Sequence, residues 1–222
     1  MKPEQPAFPG MPPRLYVASP SRLTTWLDCP KRYRMRYLDK PPPTPRAPRA
    51  HTHLGVAVHG ALAKWWDESP AERTPERAGD LVRSGWIALG FKDAAHSEAW
   101  RERSAASVAA YVARLDPSVQ PTGIERGIGF RSEAMAIVGR IDRLDDRDGE
   151  LVVVDYKTGA WVPGVEETRT SLALALYAAA VWKTFRRRCV RVELHHVPTG
   201  TVTAYEHTPE SLTRKVHEAA SI

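Results

Sequence analysis

The spacing of apolar residues changes period near the middle of the chain. From Leu23 to Leu115 they recur at three- and four-residue steps; from Gly123 they fall into short runs broken by turn residues. Ser19-Pro20-Ser21 predicts a helix start, a serine cap with proline tolerated in the first turn. Leu23, Trp26 and Leu27 follow, then Cys29-Pro30-Lys31-Arg32-Tyr33, where Pro30 is expected to break or kink the helix. Leu54, Val58, Ala61, Leu62 and Trp65 mark one face of a helix over 52–66. Leu81, Trp86 and Leu89 predict another over 75–90, and Val108, Tyr111, Val112 and Leu115 a third over 95–115. Segments 123–131 and 133–144 predict a hairpin turned near Ser132. Asp145–Gly149 reads as a turn, and 151–155 as a continuous apolar strand buried on both faces. An alanine- and leucine-rich helix over 170–184 is apolar almost all round, so it should be well covered. Strands over 190–197 and 201–206 and a last helix from Pro209 complete the order. The pattern is α/β: a sheet with helices on its faces, preceded by a helical half.

A chain of 222 residues can build one medium domain. Proline sets its limits. Twelve of the nineteen prolines fall before residue 49, so 1–18 is expected as a disordered leader and 39–50 as a linker or surface loop. The single domain is then 19–222, with a helical part over 19–120 and a sheet core over 121–222. Net charge is +6, from 32 basic and 26 acidic residues, which favours polyanionic partners, nucleic acid first. Two cysteines, Cys29 and Cys189, cannot form a four-thiolate cluster or a disulfide framework, and suit a reduced cytoplasmic setting. No run of 18 apolar residues predicts a membrane span.

Candidate chemistry gathers at one stretch. Asp155 and Lys157 are two apart in a strand, so they project to the same face. Asp142 lies on the preceding strand. Two carboxylates and an ammonium suit a hard cation held against a phosphate. The same spacing also describes a structural ion pair at a strand end. His59, inside a predicted helix, is by default a packed or surface residue. His51 and His53 fall in a region read as loop and lack the partners of a zinc site. Lys31, Arg32, Arg34 and Arg36, interleaved with Tyr33 and Tyr37, describe either a nucleic-acid surface or a solvated basic face. Arg186–Arg188 either meet phosphate or offset the dipole of the helix before them.

Four segments in order carry a family resemblance. They are Ser19-Pro20-Ser21 with Cys29-Pro30-Lys31-Arg32-Tyr33, Gly55-Val56-Ala57-Val58-His59, Gly139-Arg140-Ile141-Asp142-Arg143, and Val153-Val154-Asp155-Tyr156-Lys157-Thr158-Gly159. Together they resemble the RecB-like (also AddB-like) branch of the PD-(D/E)XK nuclease superfamily. The resemblance implies a restriction-endonuclease-like fold, a mixed central sheet flanked by helices. It implies metal-dependent hydrolysis of DNA phosphodiester bonds, in DNA repair or recombination. His59, Asp142, Asp155 and the Tyr156 backbone carbonyl would ligate Mg²⁺ or Mn²⁺, with imidazole suiting manganese better. Lys157, Asp155 and Asp142 would be catalytic, and Tyr177, Arg140 and Arg143 would contact DNA. Glu125 stands where the family often has a glutamate, with no role assigned. No iron–sulfur cluster is expected.

One departure is notable. The family usually places a glutamine four residues before the tyrosine of the following helix; here Ala173 precedes Tyr177. With the short segment left after the start of the last helix, this motivates an alternative: a catalytically impaired DNA-binding or assembly module of a helicase–nuclease complex. The sequence has no G-x-x-x-x-G-K-[S/T] phosphate loop, so any ATP-driven unwinding would need a helicase partner.

Overall fold

In the computed structural model, residues 15–39, 47–132 and 135–222 are described. Most of the expected leader and linker lies outside them. The leader's last part does not: Tyr16–Ala18 form strand β1, with Ala18 fully buried, so the ordered fold begins before Ser19. A three-residue strand carries no periodic signal, which is why the proline-rich context masked it.

The helical half follows the apolar stripes. Ser19 caps α1 (Pro20–Asp28), its hydroxyl accepting from the Arg22 N–H. Cys29 ends it and starts α2 (Pro30–Tyr33), which runs into a π-helical stretch, Arg34–Asp39. Next come α3 (Ala50–Asp67), α4 (Pro75–Ser84) and α5 (Ala94–Val112). His51 and His53 therefore lie in the first turn of α3, not in a loop. Helix α4 stops six residues short of the expected end, because the chain turns at Gly85.

Strands β2 (Gly123–Arg131) and β3 (Met135–Arg147) form the expected hairpin, and β4 is Glu150–Lys157. β3 runs through Asp145 to Arg147, so only Asp148 and Gly149 make the turn. Asp145 stays in the sheet because Arg143 and Arg147 pair with it. A short polar helix that the apolar pattern could not announce, α6 (Val165–Thr170), precedes α7 (Leu172–Phe185). Strands β5 (Arg191–His196) and β6 (Thr201–Glu206) and helix α8 (Pro209–Ala220) follow. Among the described residues, no helix is long and apolar enough to cross a membrane.

The sheet is mixed, in the order β1-β3-β4-β5-β6, with β2 also on β3. Helices cover both faces, as expected. Ile137, Ile141, Leu151, Val153 and Val192 pack with α7 on one side. Val152, Val154 and Tyr156 pack with α3, α4 and α5 on the other, around Leu62, Trp65 and Trp66. Each such side chain contributes about 1.5–3 kcal/mol by leaving water.

β3 organises the rest. One edge pairs antiparallel with β2 from Ala136 to Leu144. The other edge is shared: β1 pairs in parallel at Met135–Ile137, and β4 pairs antiparallel from Arg143 to Arg147. Between them, residues 138–142 pair with no strand on that edge among the described residues. The gap opens where β4 turns from β3 and continues along β5, with Asp155, Tyr156 and Lys157 beside Leu194, His195 and His196.

Candidate active site

The gap in the β3 edge is where the candidate side chains meet. Past the Arg143–Val154 pair the ladder stops, and the Asp142 side chain takes over. Its Oδ2 accepts the Tyr156 backbone N–H at 2.8 Å, satisfying a donor that the lost ladder would leave free. The same oxygen lies 3.3 Å from His59 Nδ1. His59 is delivered by α3, whose buried face of Val58, Leu62 and Trp65 sits against the sheet. It stands edge-on to the Tyr156 ring, with centroids 5.9 Å apart.

Glu125 completes this group. The β2–β3 register places it opposite Asp142, between the pairs Ile124–Arg143 and Arg126–Ile141. Both strands change phase at this point. Ile137, Ile141 and Leu144 all pack on the α7 side, so the step from Ile141 to Leu144 is odd where simple alternation requires an even one. On β2, Ile128 and Phe130 pack on the α7 side, whereas Ile124 packs on the α3 side. Glu125 sits inside that break with φ of +45°, a conformation that costs energy in a non-glycine residue. One ligand atom each from His59, Glu125 and Asp142 lies within 4.8 Å of the others.

Asp155 and Lys157 stand beside this group. Lys157 Nζ is 2.6 Å from Asp155 Oδ2, and Lys157 is 43% exposed. Burial raises the Asp155 carboxyl above the ordinary range; Lys157 opposes the rise and the Asp142 charge adds to it. At His59, burial pulls the imidazole down, but the Asp142 hydrogen bond and the charges of Asp142, Asp155 and Glu125 outweigh it, leaving a net rise. The site is thus a cluster of acidic groups short of positive charge. Its donors, carboxylate oxygens with one imidazole nitrogen, fit a divalent cation. Asp155, expected as a ligand, is outside the 4.8 Å group and is held by Lys157.

The remaining expected residues separate. Arg140, in the gap, is 70% exposed and reaches Glu125 at 3.4 Å. Tyr177 projects from α7 onto Gly139, where a Cβ would collide with its ring; glycine is required here by that close approach. Burial, then the Asp155 and Asp142 charges, push the Tyr177 hydroxyl up to about 12. Ala173 and Tyr177 are both half-buried, one turn apart, where the rest of α7 from Leu172 to Val181 is buried, so they share the open stripe of that stretch.

Arg143 is a correction. It was expected on DNA, but it is 3% exposed and lies under the sheet on the α3 side. The phase change at Asp142 puts it there, between Asp145, Tyr111 and Tyr156. It belongs to a buried polar network. Tyr156 Oη accepts from Trp66 Nε1 and from Arg143, each at 3.3 Å. Tyr111 Oη meets His195 Nδ1 at 2.7 Å, and His195 Nε2 meets Glu193 at 2.8 Å. Glu193 also takes Arg147 and Arg191; burial would raise its carboxyl, but these partners hold it well below the ordinary range. The network anchors the Tyr156 ring on one face of β4 while its backbone fixes Asp142 on the edge.

A model of the PD-(D/E)XK nuclease superfamily matches residues 17–220. The chain belongs to the PD-(D/E)XK nuclease superfamily. The gap at 138–142 and His59, Glu125, Asp142, Asp155 and Lys157 all lie within the matched span. Among solved structures, this superfamily member is similar to a protein from Eubacterium rectale that carries the provisional name exonuclease. The TM-score is 0.56 at 10% identity, over 91% of this chain and 77% of that one. At that identity the likeness speaks for the fold, a mixed sheet flanked by helices. No curated protein sequence matches the chain.

Proposed function

We propose that the chain is a RecB-like, metal-dependent deoxyribonuclease that hydrolyses DNA phosphodiester bonds in repair or recombination, in the cytoplasm. The observation that carries this reading is the convergence of His59, Glu125 and Asp142 within 4.8 Å of one another, at the strand edge where Asp155 and Lys157 stand. An ordinary ion pair at a strand end would not recruit an imidazole from another layer and a strained glutamate from a third element.

In this reading His59, Glu125, Asp142 and Asp155 would hold Mg²⁺ or Mn²⁺, with the Tyr156 carbonyl as a further oxygen. Such a cation, when bound, would supply Lewis-acid stabilisation of phosphoryl oxygens and lower the pKa of a water. The chain's own groups do the rest. The Tyr156 N–H holds Asp142 in one orientation. Lys157, paired with Asp155 yet solvent-accessible, offers positive charge to a phosphate as negative charge develops on it. Arg140, exposed at the gap, meets the DNA backbone, and Tyr177 closes the α7 side.

The test is incubation of end-labelled linear and closed circular DNA with Mg²⁺ or Mn²⁺. Cleavage with either metal, lost on chelation, is expected; intact DNA with a folded protein would contradict the proposal. One observation favours a second reading, an impaired DNA-binding or assembly module beside a helicase: the open stripe of α7 carries Ala173 where a polar contact is expected. Titration calorimetry separates the two, because an impaired module shows no cation site that depends on Asp142 and Asp155.

A further inference from the structure

The segment after the catalytic strand carries an exposed indole that nothing in the site uses. Trp161 is 77% exposed, and it is the only one of the seven tryptophans in the exposed range. Val162 and Val165, also exposed, extend the apolar surface. The loop stem is nonetheless fixed. The Lys157 carbonyl accepts from the Val197 N–H at 2.9 Å. The Gly159 carbonyl accepts from Nε2 of buried His196 at 2.7 Å, and Thr199 holds the other nitrogen at 2.8 Å. Trp161 Nε1 donates to Glu167 at 3.3 Å. The polar edge of the ring is therefore engaged with α6, while its faces stay open to solvent.

Position and chemistry point to one occupant. Four residues of chain span at most about 14 Å, so Trp161 lies close to Lys157. Lys157 and Arg140 are exposed cations, each paired with one carboxylate, and in the nuclease reading they meet the phosphates of the bound strand. A strand whose phosphate sits there carries its bases within reach of the loop, and an open indole face binds a base by stacking. Bases inside a duplex are already stacked on each other; only unpaired ones offer a free face.

We propose that Trp161 is a stacking platform for an unpaired nucleobase of the strand being cut, so that the substrate is single-stranded DNA or a frayed end. This rests on the nuclease reading above and names its substrate class. The platform sets affinity for the strand and leaves the chemistry at Asp155 and Lys157 unchanged.

The experiment is anisotropy titration of the full chain, in a Lys157→Ala background with Mg²⁺, onto a fluorescein-labelled oligothymidylate and a blunt two-strand duplex ending in G·C pairs. Trp161→Ala is expected to weaken oligothymidylate binding about tenfold and to leave the duplex within about twofold, while Trp161→Phe retains most of the affinity. Equal single-strand affinity in Trp161→Ala would overturn the proposal and assign the loop to another partner, such as a protein. An equal loss on both substrates would overturn it too. Circular dichroism checks that the variants are folded. Cleavage by the unmodified background is read separately. Trp161-dependent binding without any cleavage sinks the nuclease reading and keeps the platform. Cleavage with an unchanged single-strand KM in Trp161→Ala sinks the platform and keeps the nuclease.

Discussion

Glu125 shows most clearly how single residues build this site. Its left-handed backbone costs energy, and what it gains is a carboxylate opposite Asp142 and near His59. Glu125→Gln is therefore expected to weaken Mn²⁺ binding at least about tenfold, the loss seen even for groups that only support a ligand. Calorimetry reads this directly, and an unchanged affinity would remove Glu125 from the ligand set. Arg143 makes the opposite case. Spacing along the motif sets it beside Arg140, but the strands change phase at Asp142 and turn it inward. Arg143→Met should cost about 3 kcal/mol in urea denaturation, because Asp145 loses one buried partner and the Tyr156 hydroxyl another. A loss below about 1 kcal/mol would show that the buried network does not depend on it.

At the scale of elements, the organising feature is a strand with a divided edge. β3 gives one edge to β2, splits the other between β1 and β4, and leaves a gap that the Tyr177 ring covers from α7. Gly139→Ala should destabilise the fold by about 1–3 kcal/mol through overpacking against that ring. In a chain carrying Tyr177→Ala the same change should cost less, so a double-mutant cycle in thermal denaturation checks the contact. Additive losses would contradict it. Most of the elements were legible in the sequence, because long amphipathic or apolar segments such as α3, β4 and α7 carry their period openly. The divided edge was not. It depends on a three-residue strand without periodicity and on one break in alternation, neither of which a pattern of single residues expresses. Asp142, Asp155 and Lys157 could be singled out from spacing; His59 was named only by the family resemblance, and Glu125 had no role. What brings these two to the carboxylates is the packing of α3 against the sheet and the β2–β3 register.

For the whole molecule, the acidic gap couples stability to pH and, in the proposed reading, to cations. His59 and Asp155 both have raised pKa values, so the folded state binds more protons than the unfolded one. Stability from these groups is therefore present at acid pH and is lost as pH rises through their folded-state values. In the proposed reading a divalent cation would replace the departing protons. The thermal shift produced by saturating Mn²⁺ is expected to be larger at pH 8 than at pH 6; an equal or smaller shift at pH 8 would contradict the coupling.

The central claim is that this gap cuts DNA, and a rate measurement tests it most directly. Single-turnover cleavage of an end-labelled strand at saturating Mn²⁺ compares the unaltered chain with Lys157→Ala, which keeps every proposed ligand. Removing one group that stabilises developing charge should slow cleavage by about 10²–10³-fold while Mn²⁺ affinity stays within about threefold. Cleavage at the original rate in Lys157→Ala, or in the unaltered chain with excess chelator, would contradict the account.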